Sequence, residues 1–138
     1  MTWKIHHVNI PAPNVRESAE FYSSVFGMTE TEMPVKSGPR GSFRSDRSSL
    51  AWFEGDNAQI HVCQPSATMA RDNGFYINPV LNGHLAIQVD DIAEVKRRLD
   101  ERGDYYADPG HWAMANHYQI YLHDPAMNVI EIIQPLPS

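Results

Sequence analysis

Short runs of alternating apolar and polar residues, typical of half-buried strands, are separated along the chain by two segments with helical periodicity. The first strand is predicted at residues 4–10. A helix follows at residues 15–26, with Asn14 as its N-cap and Gly27 at its C-terminal end. Three more strands complete the first half, at residues 28–33, 49–54 and 58–64.

The same order of elements is predicted again in the second half. A strand at residues 83–89 leads into a helix that is capped by Asp90 or Asp91, runs to about Arg102 and closes at Gly103. The remaining strands are predicted at about residues 104–107, 117–123 and 128–134.

The pattern therefore predicts an α+β fold built from two tandem βαβββ modules within one compact domain. The first module covers residues 1–66 and the second covers residues 81–138. A connector rich in Pro, Ser, Asn and Gly joins them at residues 67–80.

Potential metal ligands stand at equivalent positions in the two modules. His7 and His84 lie in the first strand of each half, and His61 and Glu131 lie near the ends of the halves, each shortly before a Gln-Pro pair. A duplicated fold that places four such side chains symmetrically predicts one site between the copies.

Strand periodicity predicts which way these four side chains point. Each faces away from an apolar stripe, as Glu131 does between Ile130 and Ile132, because successive side chains of a strand face opposite sides of a sheet. The apolar faces are expected to pack under the helices, so that the candidate ligands lie in a cleft on the helix-free face. His6, on this pattern, is expected to face the apolar side and to be structural.

The chemistry of the set is that of a transition-metal site. Three neutral imidazoles and one carboxylate around a divalent cation leave a net charge of about +1. Imidazole ligands disfavour calcium and magnesium and suit iron, cobalt, nickel, zinc or manganese. Such a centre would bind and polarise an anionic or enolisable substrate, and Glu131 is our candidate for the base that moves a proton. His61 is either a fourth ligand or a nearby acid-base residue that assists Glu131.

Composition limits the class of protein. With 42% hydrophobic residues the chain can bury a core, and it has no apolar run long enough to span a bilayer. A single cysteine, Cys63, and an N-terminus without a signal-peptide pattern indicate a cytoplasmic protein. The formal charge of −6 makes nucleic acid and anionic membranes unexpected partners.

Three further residues are candidates for substrate binding, each with a structural alternative. Tyr121 either contacts substrate or packs within its strand. Arg47 belongs to the basic segment 34–47, which is either a clamp for a carboxylate or phosphate or a solvated loop; its other cations are Lys36, Arg40 and Arg44. Trp112, with Met114, either roofs the cleft or fills the core.

At these residues the chain resembles the vicinal oxygen chelate superfamily, which includes glyoxalase I, methylmalonyl-CoA epimerase, bleomycin-resistance proteins and extradiol dioxygenases. The resemblance covers almost the whole chain and rests on the His7 and His84 segments and on residues 124–131, which are similar to the family's Asp-Pro-x-Gly-Asn-x-x-Glu hairpin. It implies a curved mixed sheet with the helices on its outer face, one divalent transition metal held by His7, His61, His84 and Glu131, and a homodimer. The site is completed either within one chain or across the dimer.

The resemblance implies a glyoxalase I-like lyase or isomerase that transfers a proton next to a carbonyl. An iron(II) extradiol-type dioxygenase is the second reading, because those relatives use two histidines and one glutamate, matching His7, His84 and Glu131. A non-catalytic binding protein is the third. Two residues depart from the family pattern: Met127 replaces the usual glycine, and His61 stands where glyoxalase I usually has glutamate.

Overall fold

A computed structural model of the chain describes residues 1–35 and 46–137. Within these two ranges there are eight strands and three helices. The first half comprises β1 (Trp3–Pro11), α1 (Val15–Phe26), β2 (Glu30–Thr31), β3 (Leu50–Glu54) and β4 (Gln59–Cys63). A short helix follows, α2 (Met69–Asp72). The second half comprises β5 (His84–Val89), α3 (Ile92–Arg102), β6 (Tyr106–Gly110), β7 (His117–His123) and β8 (Val129–Pro135).

All eight strands form one mixed sheet in the order β2-β3-β4-β1-β5-β8-β7-β6. Each half contributes an equivalent set of four strands, in which the first strand pairs in parallel with the last, β1 with β4 and β5 with β8. The halves join through the antiparallel pairing of β1 with β5. The predicted α+β fold of two βαβββ modules in a curved mixed sheet is confirmed.

The helix boundaries follow the predicted capping residues. Asn14 Oδ1 accepts a hydrogen bond from the Glu17 backbone amide at 3.1 Å, and Asp91 Oδ1 accepts one from the Glu94 amide at 3.0 Å. Both long helices end at a glycine in the left-handed region.

The two long helices cover the outer face of the sheet through the apolar sets that strand periodicity predicted. Val15 and Ala19 of α1 pack with Val62 of β4, and Ile92 of α3 packs with Ile132 of β8. The candidate ligands are thereby turned toward the inner face. No helix among the described residues is long and apolar enough to cross a membrane.

Several elements differ from the sequence expectation. The strand predicted at residues 28–33 is reduced to Glu30–Thr31, since Met33 leaves the sheet and is buried in the inner cluster. The strand β6 begins later than predicted and reaches Gly110. The connector is not only a loop: it contains α2, whose Met69 and Ala70 pack in the same inner cluster as Tyr121. The inner face is therefore partly covered by a helix, whereas we expected it to be free of helices.

Candidate metal centre

Three of the four predicted ligands converge at the middle of the sheet. His7 Nε2 and His84 Nε2 each lie 3.1 Å from the Glu131 Oε2 atom, and the two nitrogens lie 3.2 Å from one another. Among the described residues, these three form a His, Cys, Asp or Glu group that could hold an ion. His7 comes from the first half and the other two from the second, so the group is complete within one chain.

The size of this triangle fits a transition metal. With metal–ligand bonds of roughly 2.1 Å, adjacent ligand atoms lie about 3.0 Å apart in an octahedral arrangement and about 3.4 Å apart in a tetrahedral one. The three observed separations, 3.1 to 3.2 Å, fall between these values. All three residues are buried. The donor set therefore fits a single divalent cation that His7, His84 and Glu131 would hold.

The hydrogen bonds behind the two histidines favour the ligand form of each ring. His84 Nδ1 donates to the Pro79 carbonyl oxygen at 2.5 Å, which leaves the lone pair on Nε2. His7 Nδ1 lies 2.8 Å from His6 Nδ1, so that one ring donates to the other. Burial, and then the electrostatic effect of the adjacent His7, lower the pKa of His6 to about 4, and a neutral His6 can accept this proton.

This contact corrects the expectation for His6. The pairing of β1 with β5 shifts register between Ile5 and His7, and this β-bulge breaks the strict alternation of faces. The His6 ring consequently lies beside His7 and His117, with ring centroids 5.1 and 5.4 Å away. It does not face the apolar side.

His61 lies beside the three converging residues but is bonded differently. Its ring centroid is 5.8 Å from that of His7. Its Nε2 lies 2.9 Å from Cys63 Sγ and its Nδ1 lies 3.5 Å from Asn9 Nδ2. Burial first, and then the neighbouring His7 and His84, hold the pKa of His61 well below its usual value. Its ring is therefore neutral at neutral pH, and its role as a fourth ligand stays a prediction.

Glu131 has a second partner that we did not predict. Gln119 Nε2 donates to Glu131 Oε1 at 2.5 Å. Burial acts to raise the pKa of Glu131, but the adjacent His7 and the hydrogen bonds that His7 and His84 donate when Nε2 carries a proton outweigh it, so that this pKa lies well below its usual value. The carboxylate is therefore ionised, as a ligand must be. A bound cation would replace the histidine protons on Nε2.

A small cavity of about 20 Å³ opens at the three converging residues, with room for about one water molecule. Tyr121 and Trp112 line it, together with His61, Met33 and Met114. Tyr121 is buried and stacks on Phe75, with ring centroids 5.8 Å apart. The positions of Tyr121 and Trp112 thus agree with either substrate contact or packing, and their role in binding stays a prediction.

Arg47 is not among the residues that line this cavity. Its exposed guanidinium is 3.7 Å from the Glu30 carboxylate, in a neighbouring surface groove that shares Met33 with the cavity. The other cations of the predicted clamp, Lys36, Arg40 and Arg44, lie outside the described residues. A role for Arg47 in binding substrate stays a prediction.

The chain matches the model of the Glyoxalase/Bleomycin resistance protein/Dioxygenase superfamily over residues 4–132, and it belongs to this superfamily. This match confirms the resemblance that the motifs indicated. No curated protein matches the sequence.

Solved structures share the fold at low sequence identity. Methylmalonyl-CoA epimerase from Mycobacterium tuberculosis is 22% identical, with a TM-score of 0.69 over 97% of this chain and 89% of that one. A Streptomyces coelicolor methylmalonyl-CoA epimerase variant in complex with 2-nitronate-propionyl-CoA is 14% identical, with a TM-score of 0.65 over 97% and 98%. A superfamily member from Vibrio splendidus 12B01 is 14% identical, with a TM-score of 0.63 over 96% and 99%. At these identities the similarity establishes the fold.

Proposed function

We propose that this protein is a metal-dependent enzyme that transfers a proton next to a carbonyl of a small oxygenated substrate, as a glyoxalase I-like lyase or an isomerase does. The observation that carries the proposal is the convergence of His7, His84 and Glu131 beside a cavity that His61 also lines. Membership of the superfamily and the epimerases that share the fold support it.

Each residue has a role that its surroundings suit. His7, His84 and Glu131 would hold the cation, which would supply Lewis-acid polarisation of the substrate carbonyl. Glu131 would move the proton, because its carboxylate lines the cavity that the substrate would enter. His61, buried and neutral, would assist as the second proton carrier.

Two neutral imidazoles and one carboxylate around a divalent cation leave a net charge of about +1. This charge favours an anionic substrate, and the CoA thioesters bound by the epimerases are one class to test. The cavity is small, so access requires movement of the side chains around it. A homodimer and a cytoplasmic location remain predictions from the sequence.

Deuterium exchange tests the proposal across several classes of candidate substrate at once. Protein loaded separately with Ni²⁺, Co²⁺, Zn²⁺, Mn²⁺ or Fe²⁺ is incubated in D₂O with a panel of 2-hydroxy-carbonyl compounds, hemithioacetals and acyl thioesters. Proton NMR then follows loss of the signal next to the carbonyl. We expect exchange to depend on the metal and to fall about 100-fold or more in Glu131→Gln.

The matched control is Glu54→Gln, which makes the same chemical change at an exposed position on the β3–β4 hairpin. This variant should exchange at the wild-type rate. Unchanged turnover of the true substrate by Glu131→Gln with metal still bound would overturn the proposal.

An iron(II) extradiol-type dioxygenase is the second candidate function. The observation in its favour is that the converging ligand atoms come from two histidines and one carboxylate, while His61 has other partners. This ligand set is typical of iron(II) oxygenases. Oxygen uptake by the protein loaded anaerobically with Fe²⁺, measured with a panel of catechols, would support it. Turnover that is unaffected by oxygen would exclude it.

The non-catalytic reading makes a different prediction. A binding or resistance protein of this superfamily without a metal would hold no transition metal after purification. Metal analysis of the freshly purified protein separates this reading from both enzymatic candidates.

A further inference from the structure

The side chain of Gln119 connects the candidate metal ligand Glu131 to the segment that covers the cavity. Its Nε2 donates to Glu131 Oε1 at 2.5 Å. Its Oε1 accepts hydrogen bonds from the backbone amides of Ala113 and Met114, at 3.1 and 3.0 Å. Ala113 and Met114 both line the cavity.

We propose that Gln119 is a positioning residue that holds Glu131 so that it offers the metal one oxygen. This inference rests on the metal site described under the proposed function. Gln119 would not touch the cation or the substrate. It would act through the carboxylate that it holds.

The orientation of the Gln119 amide is fixed by its partners. Two backbone N–H groups converge on one end of the amide, so this end must be the carbonyl oxygen. The other end is then the NH₂ group, which can only donate. It therefore binds the ionised Glu131, and a reversed amide would place donors against donors.

This hydrogen bond separates the two carboxylate oxygens of Glu131 by function. Oε1 is engaged by Gln119, while Oε2 lies 3.1 Å from both His7 Nε2 and His84 Nε2. A carboxylate that is held in this way loses little rotational freedom when the cation binds. The entropy loss that would weaken cation binding is therefore smaller than for a freely rotating carboxylate. Gln119 is itself buried, at 2% exposure, so bulk water has little access to the contact.

A variant of Gln134 serves as the matched control, because this glutamine also forms a hydrogen bond with a backbone amide but does not contact a candidate ligand. Its Oε1 accepts from the Ile92 backbone amide at 2.7 Å, at the start of α3 and on the outer side of the sheet. Replacing either glutamine by methionine preserves the approximate shape and removes the polar end. Only Gln119→Met removes a contact to a metal ligand.

The test is Co²⁺ affinity, measured by isothermal titration calorimetry on the wild type, Gln119→Met and Gln134→Met. We expect Gln119→Met to bind Co²⁺ about 10- to 100-fold more weakly than the wild type. Gln134→Met should lose thermal stability yet keep the wild-type affinity within about threefold. Wild-type affinity in folded Gln119→Met would overturn the inference.

A double-mutant cycle with the isosteric Glu131→Gln shows whether Gln119 acts through the carboxylate. In the Glu131→Gln background, adding Gln119→Met should change the Co²⁺ affinity by less than about threefold. A full additional 10- to 100-fold loss would show a general structural effect and overturn the inference. A wild-type chain that binds no Co²⁺ would overturn both this inference and the metal site, whereas binding without turnover would overturn the proposed reaction alone.

Discussion

Gly83 lies so close to Asn9 that a Cβ atom on the glycine would be 2.6 Å from the Asn9 carbonyl oxygen. The glycine also has a φ angle of +84°, in the left-handed region that side chains rarely adopt. It directly precedes His84 on β5, and Asn9 pairs with His84 across the β1–β5 junction. A residue without a side chain therefore lets the two halves meet at the strand that carries a candidate ligand.

We expect Gly83→Ala to destabilise the fold by about 2–4 kcal/mol. Backbone strain accounts for roughly 1–2 kcal/mol of this loss, and the contact with the Asn9 carbonyl adds the rest. The free energy of unfolding from urea denaturation is the measurement. Gly103→Ala is the matched control, since Gly103 also has a positive φ but a Cβ atom on it would meet no described atom within 4 Å. Equal losses in the two variants would contradict the role of the close approach.

Met127 departs from the family's glycine, and its φ angle is +68°. The turn thus keeps the left-handed conformation that glycine adopts without strain. We expect Met127→Gly to stabilise the protein by about 1 kcal/mol, because the exposed Met127 side chain contributes little packing.

Thermal unfolding measures this change. The control is Ala126→Gly, at a neighbouring turn residue that does not have positive φ, where added chain freedom should destabilise the protein by about 0.5 kcal/mol. A lower melting temperature for Met127→Gly than for the wild type would refute the prediction.

His61→Ala distinguishes a proton carrier from a fourth ligand. Because its ring nitrogens contact Asn9 and Cys63, we expect the variant to keep Co²⁺ affinity within about tenfold of the wild type. Proton exchange should fall about 100-fold or more. Calorimetry and the deuterium assay provide the two measurements. Loss of metal binding as severe as in His84→Ala would instead establish His61 as a ligand.

Cys63 should be unreactive in the folded protein. Burial raises the pKa of its thiol to about 12, so the thiolate fraction at pH 8 is on the order of a thousandfold lower than in an exposed cysteine. A disulfide-exchange reagent should label the native protein slowly and the urea-unfolded protein fast.

The raised pKa of Cys63 also makes the stability of the folded protein depend on pH. The unfolded chain releases the thiol proton near pH 9, whereas the folded protein retains it up to about pH 12. Folding stability should therefore fall as the pH rises through this window, and it should fall less in Cys63→Ala. Identical alkaline profiles for the two proteins would contradict the assignment.

The repeated sequence pattern was sufficient to predict the fold, because the strands and helices of each half follow from the local spacing of apolar residues. Periodicity, the caps at Asn14 and Asp91, and the glycines after the helices specified the elements of each half. Their equivalence then indicated which strands would carry the four candidate ligands, and those on β1, β5 and β8 converge in the structure.

Features that depend on pairing register and on long-range contacts were harder to predict from the sequence. The β-bulge at Ile5–His7 reverses the expected face of His6, and no local signal marks it. Gln119 was missed, although it shares strand parity with Tyr121 and so faces the same side as the ligands. This shared parity is the sequence signal that could have placed Gln119 beside the candidate ligands. Its hydrogen bonds to Glu131, Ala113 and Met114 depend on how β7, β8 and the segment before β7 assemble.

The three converging residues are divided between the two halves of the chain, which join where β1 pairs with β5. Neither half alone therefore supplies all three candidate ligands. A polypeptide of half the length would have to associate with a second half-length chain before it could bind an ion. Its apparent affinity for the ion would then depend on the protein concentration. Fusing the halves turns that encounter into an intramolecular event with a fixed effective concentration. The tandem arrangement would thus make capture of the proposed cation independent of how much protein is present.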